Sequence, residues 1–188
     1  MKKGFLFLCI LTVAFAFSSV QAAVIDFESV AVGSYSSLDF GDAILTSNSG
    51  NFTITSPTPT GSNALLDYDQ YGSTLSFSSY VTDVSIYVVD YVPSDEDPVS
   101  LMAYDSANNL LAMDSYLIPG DSAAGYTLSV LASSAISYVT FASGGVFPGS
   151  VYWDNIEYNA SAVPEPATML FIGIGLVGIG AIRKRVIK

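Results

Sequence analysis

Between Ala23 and Val163 the chain contains no lysine, arginine, histidine or cysteine. Of the six basic residues, Lys2 and Lys3 precede this stretch, and Arg183, Lys184, Arg185 and Lys188 follow it. Of the 17 acidic residues, all but Glu165 fall inside it. The body is therefore anionic, with no cationic side chain of its own. No disulfide can staple it. Its charge favours solubility and deters contact with acidic polymers.

The absence excludes whole classes of chemistry. A Ser-His-Asp or Cys-His site has no base. A zinc site has neither of its usual soft ligands. Nucleic-acid and phosphate binding lack the basic residues that supply most of the affinity. Carboxylate chemistry, oxygen-ligated Ca²⁺, and recognition through neutral polar and aromatic groups remain open.

The body is long enough for one domain with a real core. It is rich in Val, Ile, Tyr, Phe, Ser and Thr, with Gly, Asn, Asp and Pro at the breaks, which reads as all-β. Alternating runs occur at Val24–Glu28, Ile44–Thr46, Phe52–Thr55, Thr74–Ser78, Val84–Val89, Val99–Tyr104, Leu110–Tyr116, Tyr126–Val130, Ile136–Phe141 and Val151–Tyr158. Ser47–Asn51 reads as a hairpin turn between its flanking runs, and Asp105–Asn109 as a second turn. Eight to ten short strands at this spacing predict a sandwich, with a domain over 23–158 and a linker over 159–163. Trp153 is expected in the core.

The two ends carry addresses. Lys2 and Lys3, the apolar Gly4–Phe17 and the small-residue box Val20-Gln21-Ala22 predict a signal peptide over 1–22, with Ala23 as the second choice of cleavage site. The lone cysteine, Cys9, sits in mid-core of that signal and is discarded with it. At the other end Val163-Pro164-Glu165-Pro166 is followed by an uncharged run over 167–182 and a basic end over 183–188. As a helix that run spans roughly 24 Å, short of the ~30 Å hydrocarbon layer. It is a marginal anchor, suited to a segment that is held and then cut, with Arg183, Lys184 and Arg185 on the cytoplasmic side. An ordinary single-span anchor is the other reading. Gly173-Ile-Gly175-Leu-Val-Gly178 fits the dinucleotide fingerprint, but it lies inside the apolar run, not between a strand and an amphipathic helix. Its glycines suit close helix packing instead.

The tail resembles the PEP-CTERM sorting tail of bacteria that secrete exopolysaccharide. The resemblance covers residues 163–188. It implies export from a Gram-negative-type bacterium, transient inner-membrane anchoring, cleavage by an exosortase near Val163–Pro166, and release to the cell surface or extracellular matrix.

The body resembles extracellular jelly-roll domains of the carbohydrate-binding-module or galactose-binding kind. The matching features are Ile25-Asp-Phe-Glu28, Val99–Asp105 with its Asn turn, and Trp153-Asp-Asn-Ile156. The resemblance implies a structural calcium joining acids from the two ends: Glu28, Asp154 and Asp26. The alternative for Asp154-Asn155 is a turn or strand end. Asp67-Tyr68-Asp69-Gln-Tyr71 suits either a sugar-stacking loop, with Asp67, Tyr68, Asp69 and Tyr71 on a glycan, or a solvated loop with half-buried tyrosines. Pro93–Pro98 reads as an exposed connection whose adjacent acids could recruit a metal ion weakly.

Two classes of function follow. One is a non-catalytic, glycan-associated protein of a biofilm matrix, with no cofactor beyond calcium and no nucleic-acid partner. The other is a small glycoside hydrolase, which needs two facing carboxyls roughly 5–9.5 Å apart. The short loops leave little wall for a catalytic cleft, which favours the first class.

Overall fold

The structure is a computed structural model that describes residues 20–68, 70–90, 95–120 and 124–161. Val20–Ser161 forms one compact unit. Its strands are β1 (Val20–Ile25), β2 (Gly33–Tyr35), β3 (Ser37–Asp39), β4 (Ala43–Ser47), β5 (Phe52–Thr55), β6 (Ala64–Leu66), β7 (Ser73–Asp90), β8 (Asp97–Tyr104), β9 (Leu110–Ile118), β10 (Tyr126–Ser143) and β11 (Val151–Ser161). A single 3-10 turn at Pro148–Ser150 is the only helical element among the described residues.

All pairings are antiparallel, and two 18-residue strands, β7 and β10, organise them. The first half of β7 pairs with β4 on one side and the second half of β10 on the other, giving the order β3-β4-β7-β10-β8-β9. The second half of β7 pairs with β11 and the first half of β10, and β11 carries β6 and β1 along its other edge. β5 and β2 extend that second layer. The β7–β10 register slips between Leu131 and Ile136 and again before Tyr138. Such bulges bend a strand, and here both strands leave one layer for the other. The product is a jelly-roll sandwich whose layers share two continuous strands.

Alternation sets the faces. In the first layer the register row Leu45–Leu75–Val139–Ala103 is fully buried. In the second, Val84, Ile86, Val88 and Trp153 are fully buried. The Phe141 and Trp153 rings meet across the core at 5.0 Å. Trp153 is thus a core residue, as expected.

Several expectations change. Ser47–Asn51 does not close a hairpin: β4 and β5 belong to different layers, because the partner edges of β4 are taken by β3 and β7. The runs at 74–78 and 84–89 are one strand, and so are those at 126–130 and 136–141. The Asp105–Asn109 hairpin holds, with Asp105 Oδ1 accepting the N–H groups of Ala107 and Asn109. At the boundaries, β1 starts at Val20 and β11 ends at Ser161. Residues 159–161, expected as linker, are strand because β1 and β7 flank them.

Candidate functional site

The outer face of the first layer is built by the rows that alternate with the core. Thr46, Thr74, Thr140, Met102 and Met113 lie side by side in register, followed by Ala142, Ser100 and Ser115. Tyr138 and Tyr104 are paired neighbours, and their rings stack at 4.9 Å with 12° between planes. Over β8, β9 and the end of β10 this face sinks into a groove of about 590 Å³. Ser100, Met102, Met113, Ser115, Leu117 and Ala142 line its length, and Gln70 overhangs one end. Met113 and Leu117 are half exposed. No described residue that lines it is charged. The volume lies in the range of small-ligand sites, and the surface offers thioether, methyl and hydroxyl groups without a formal charge.

The edge of the groove is fixed by contacts between β9 and β10. Asp114 Oδ2 accepts the Ser129 N–H at 2.8 Å, and the Tyr116 and Tyr126 rings stack at 4.0 Å. These contacts tie the edge strand of one layer to the edge of the other.

At the start of β8, next to Pro98 of the groove, Asp97 neighbours Asp95 and Asp90. Asp97 is fully buried, and Asp67 and Asp90 are almost so. Asp97 Oδ2 accepts the Ser150 hydroxyl at 3.2 Å, while its Oδ1 has no hydrogen-bond partner among the described residues. Burial, then the charges of Asp95 and Asp90, push its pKa up to about 6, against a smaller lowering by Ser150. Gly145 sits beside it with φ +95°, where a Cβ would stand 2.4 Å from Asp97 Oδ1. The next residue after Asp97, Pro98, lines the groove with Gly144. The sequence places Asp97 in an exposed Pro93–Pro98 connection and does not single out Asp90; instead Asp97 begins β8 and is buried. Asp90 ends β7 and Asp97 begins β8, and in the chain nothing but their burial sets them apart from acids at other strand ends.

The acid-aromatic loop matches neither of its two readings in full. Asp67 points inward and accepts the Ser73 hydroxyl at 2.8 Å, whereas Tyr68 and Tyr71 are 63% and 65% exposed. The tyrosines are not half-buried. Tyr68 packs beside Gly149, so this loop abuts the 144–150 loop, where Val146 and Phe147 are also exposed. Asp69 lies outside the described residues.

Asp26, Glu28 and Asp154 come to one corner. Asp26 Oδ1 accepts the Glu28 N–H, and Glu28 Oε1 accepts the Asn63 N–H, both at 3.1 Å. Asp154 is buried, and its Oδ1 accepts the Asn155 N–H at 2.8 Å. Burial raises its pKa; the Asn155 and Thr60 hydrogen bonds oppose this, and the charges of Glu28 and Asp26 add to it. Phe27 and Asn155 take positive φ on either side, Phe27 in the turn after β1 and Asn155 at a bulge of β11. The donor chemistry is all oxygen, as calcium prefers. Among the described residues, however, no three acidic side chains stand close enough to hold one metal ion.

The sorting residues Val163, Pro164, Glu165, Pro166, Arg183, Lys184 and Arg185 lie outside the described residues, as does the apolar run 167–182. Among the described residues no helix is long and apolar enough to cross a membrane.

Comparison with known proteins adds the following. Residues 162–185 match the PEP-CTERM protein-sorting motif, so the chain carries that motif at the place its residues indicated. No curated protein matches the chain. Among solved structures, the arabinose-bound MgGH51 α-L-arabinofuranosidase is 12% identical with a TM-score of 0.47, over 71% of this chain and 25% of that one. This chain thus spans a quarter of that protein. The CBM22-1 xylan-binding domain of Paenibacillus barcinonensis Xyn10C is 12% identical with a TM-score of 0.45, over 79% and 99%. The K3 cleaved adhesin domain of Lys-gingipain from Porphyromonas gingivalis W83 is 16% identical with a TM-score of 0.44, over 74% and 99%. Likeness at this level carries no ligand or activity from those proteins to this one.

Proposed function

We propose that the chain is an exported, non-catalytic glycan-binding protein. A signal peptide ending near Ala22 takes it out of the cytoplasm. An exosortase then cuts near Val163–Pro166, and the body joins an exopolysaccharide matrix at or beyond the cell surface. The matched motif at 162–185 supports the sorting half. The uncharged groove over β8, β9 and β10 carries the binding half. A pyranose chain presents alternating C–H faces and hydroxyls. Met102 and Met113 would meet the first, and Ser100, Ser115 and Gln70 the second. The acidic body around the groove disfavours uronate-rich polymers and favours neutral or amino-bearing ones.

A hydrolase would need two carboxyls in reach of the ligand. Among the described residues, none lines the groove. The acid with a glycosidase-like pKa, Asp97, is fully buried. Calcium, if bound, would sit at the corner between the two chain ends. Glu28 and Asp154 would supply carboxylate oxygen, and neighbouring turn groups the remaining ligands.

The test uses the protein recovered from the medium of a host with an exosortase. Mass spectrometry should find it cut near Ala22 and near Pro164–Pro166. A form still carrying Arg183–Arg185 would make the tail a plain anchor. Affinity electrophoresis through neutral, uronate and amino-sugar polysaccharides should retard it in at least one of the first and last, with no new reducing ends. Release of reducing sugar would establish the hydrolase instead.

A further inference from the structure

β1 and the end of β11 are paired residue by residue: Val20 opposite Ser161, Gln21 opposite Ala160, and Ala22 opposite Asn159. On its other edge β11 holds Ala160 against Val81 and Ser161 against Tyr80. The matched sorting motif begins at the next residue, 162. The strand that clamps the last three residues of the body is thus the signal-cleavage box itself. Cutting after Ala22 removes those three pairs. Cutting after Ala23 removes the Ala23–Tyr158 pair as well.

We infer that signal-peptide removal prepares the tail for cleavage: it turns Asn159–Ser161 from an interior strand segment into an edge held on one side, so that tail processing follows signal processing in a fixed order. This rests on the proposed reading that both ends are cut. Proteases need backbone that has left its ladder. A segment paired on both edges opens only when the sheet opens, whereas a terminal segment paired on one edge frays. The remaining ladder is already irregular, with a register shift between Tyr158 and Ala160. Ala160 packs against the core through a single methyl group. Asn159 keeps a 3.2 Å hydrogen bond from its Nδ2 to Asp83 Oδ2, which sets a stop to the fraying. Signal removal therefore loosens about two to three residues of β11 directly before the motif.

The test compares full chains made in a host that removes the signal but lacks the exosortase, so the tail is retained. One is the native chain. The second carries an extra Val-Gln-Thr directly after Ala22, so that its mature form begins with a β1 of full length and no second small-residue cleavage box is created. The third carries Ser-Pro-Pro at the same place, which adds length but cannot donate to the ladder. Backbone hydrogen exchange at Ala160 and Ser161 should be at least about tenfold slower in the second chain than in the other two. Moved to a host with the exosortase, the second chain should lose its tail several-fold more slowly, and the third at the native rate. Equal exchange, or equal tail loss, in the native and second chains overturns the ordering while leaving the sorting reading intact. A native chain whose tail is never cut sinks the sorting reading, and the ordering with it.

Discussion

The Tyr158 phenol donates a 2.7 Å hydrogen bond to Asp42 Oδ1 across 116 residues of sequence. Tyr158 belongs to β11 in one layer, and Asp42 to the turn that enters β4 in the other. The same turn is held by Ser78, whose N–H donates to the Asp42 carbonyl at 2.9 Å. Phe77 packs on the Tyr158 ring at 5.0 Å. Burial, then the Asp42 hydrogen bond and charge, raise the Tyr158 pKa and keep the phenol protonated.

Tyr158→Phe keeps the ring and removes only the donor. A charge-assisted bond of this kind is worth about 1.5–3 kcal/mol. Urea unfolding at pH 7 should show a loss of about that size without a change in slope. An unchanged midpoint would mean that the two layers are joined here by ring packing alone.

A pH signature should mark Asp97. Its pKa is about 6 in the fold against an ordinary value of 3.8. The folded state then holds the proton more tightly, so this group's contribution falls as pH rises from about 4 to 6 and stays lost above. Asp97→Asn removes that dependence. The variant's stability relative to wild type should rise across this window, by on the order of 1–3 kcal/mol, and then level off. A difference that is flat from pH 4 to 8 would mean that Asp97 is ionised throughout. Gly145→Ala, which forces a Cβ against Asp97 Oδ1 at positive φ, should destabilise by about 2 kcal/mol or more at every pH.

How much of this could be read from the chain depends on the range of the interaction. Alternation at Val99–Tyr104 and at Val151–Tyr158 marked real strands, because face choice is local. The sandwich class followed from the same signal, the jelly-roll form from the resemblance, and the burial of Trp153 from its apolar neighbours Val151 and Ile156. Layer assignment did not: nothing between Ser47 and Asn51 says that β4 will find β7 and not β5. Nor does the run from Tyr126 to Ser143 announce one bent strand, since the polar Ser133-Ser134 at its bulge looks like a turn. β2, β3 and β6 have three residues each, too few to show a period. Acids were the hardest to place. Asp67 was legible as part of an acid-aromatic loop, yet it turns inward to Ser73 while its tyrosines turn out. The groove needs β7, β8, β9 and β10 side by side, a juxtaposition set by tertiary pairing.

The corner of Asp26, Glu28 and Asp154 makes a conditional prediction about divalent cations. A site that exists only in the fold raises the melting temperature by mass action. At fixed ionic strength, millimolar Ca²⁺ should raise it by several degrees over EDTA. Asp154→Ala should abolish the increment, whereas general screening would survive loss of any one acid. A melting temperature indifferent to chelation removes calcium from this corner, and Asp154 is then a buried strand-bulge residue satisfied by Asn155 and Thr60.

The groove gives the most direct test of function. Met113 is 55% exposed and sits in register beside Met102 on its floor. Truncating it to Ala removes contact surface without disturbing the core, since its neighbour in sequence, Ala112, carries the inward packing. Glycan affinity should drop by about 5- to 30-fold, corresponding to roughly 1–2 kcal/mol, while thermal stability stays within about 0.5 kcal/mol. Met113→Glu should abolish retention of neutral polysaccharide by placing a hydrated charge where a sugar face must dock. Tyr68→Ala and Tyr71→Ala discriminate between two placements of the ligand. If the chain lies along the groove only, both leave affinity near wild type. If it runs past Gln70 onto the exposed loop, each costs about 1–2 kcal/mol through lost stacking. Unaltered binding in Met113→Glu would mean that the glycan, where one is bound, lies elsewhere on the sandwich.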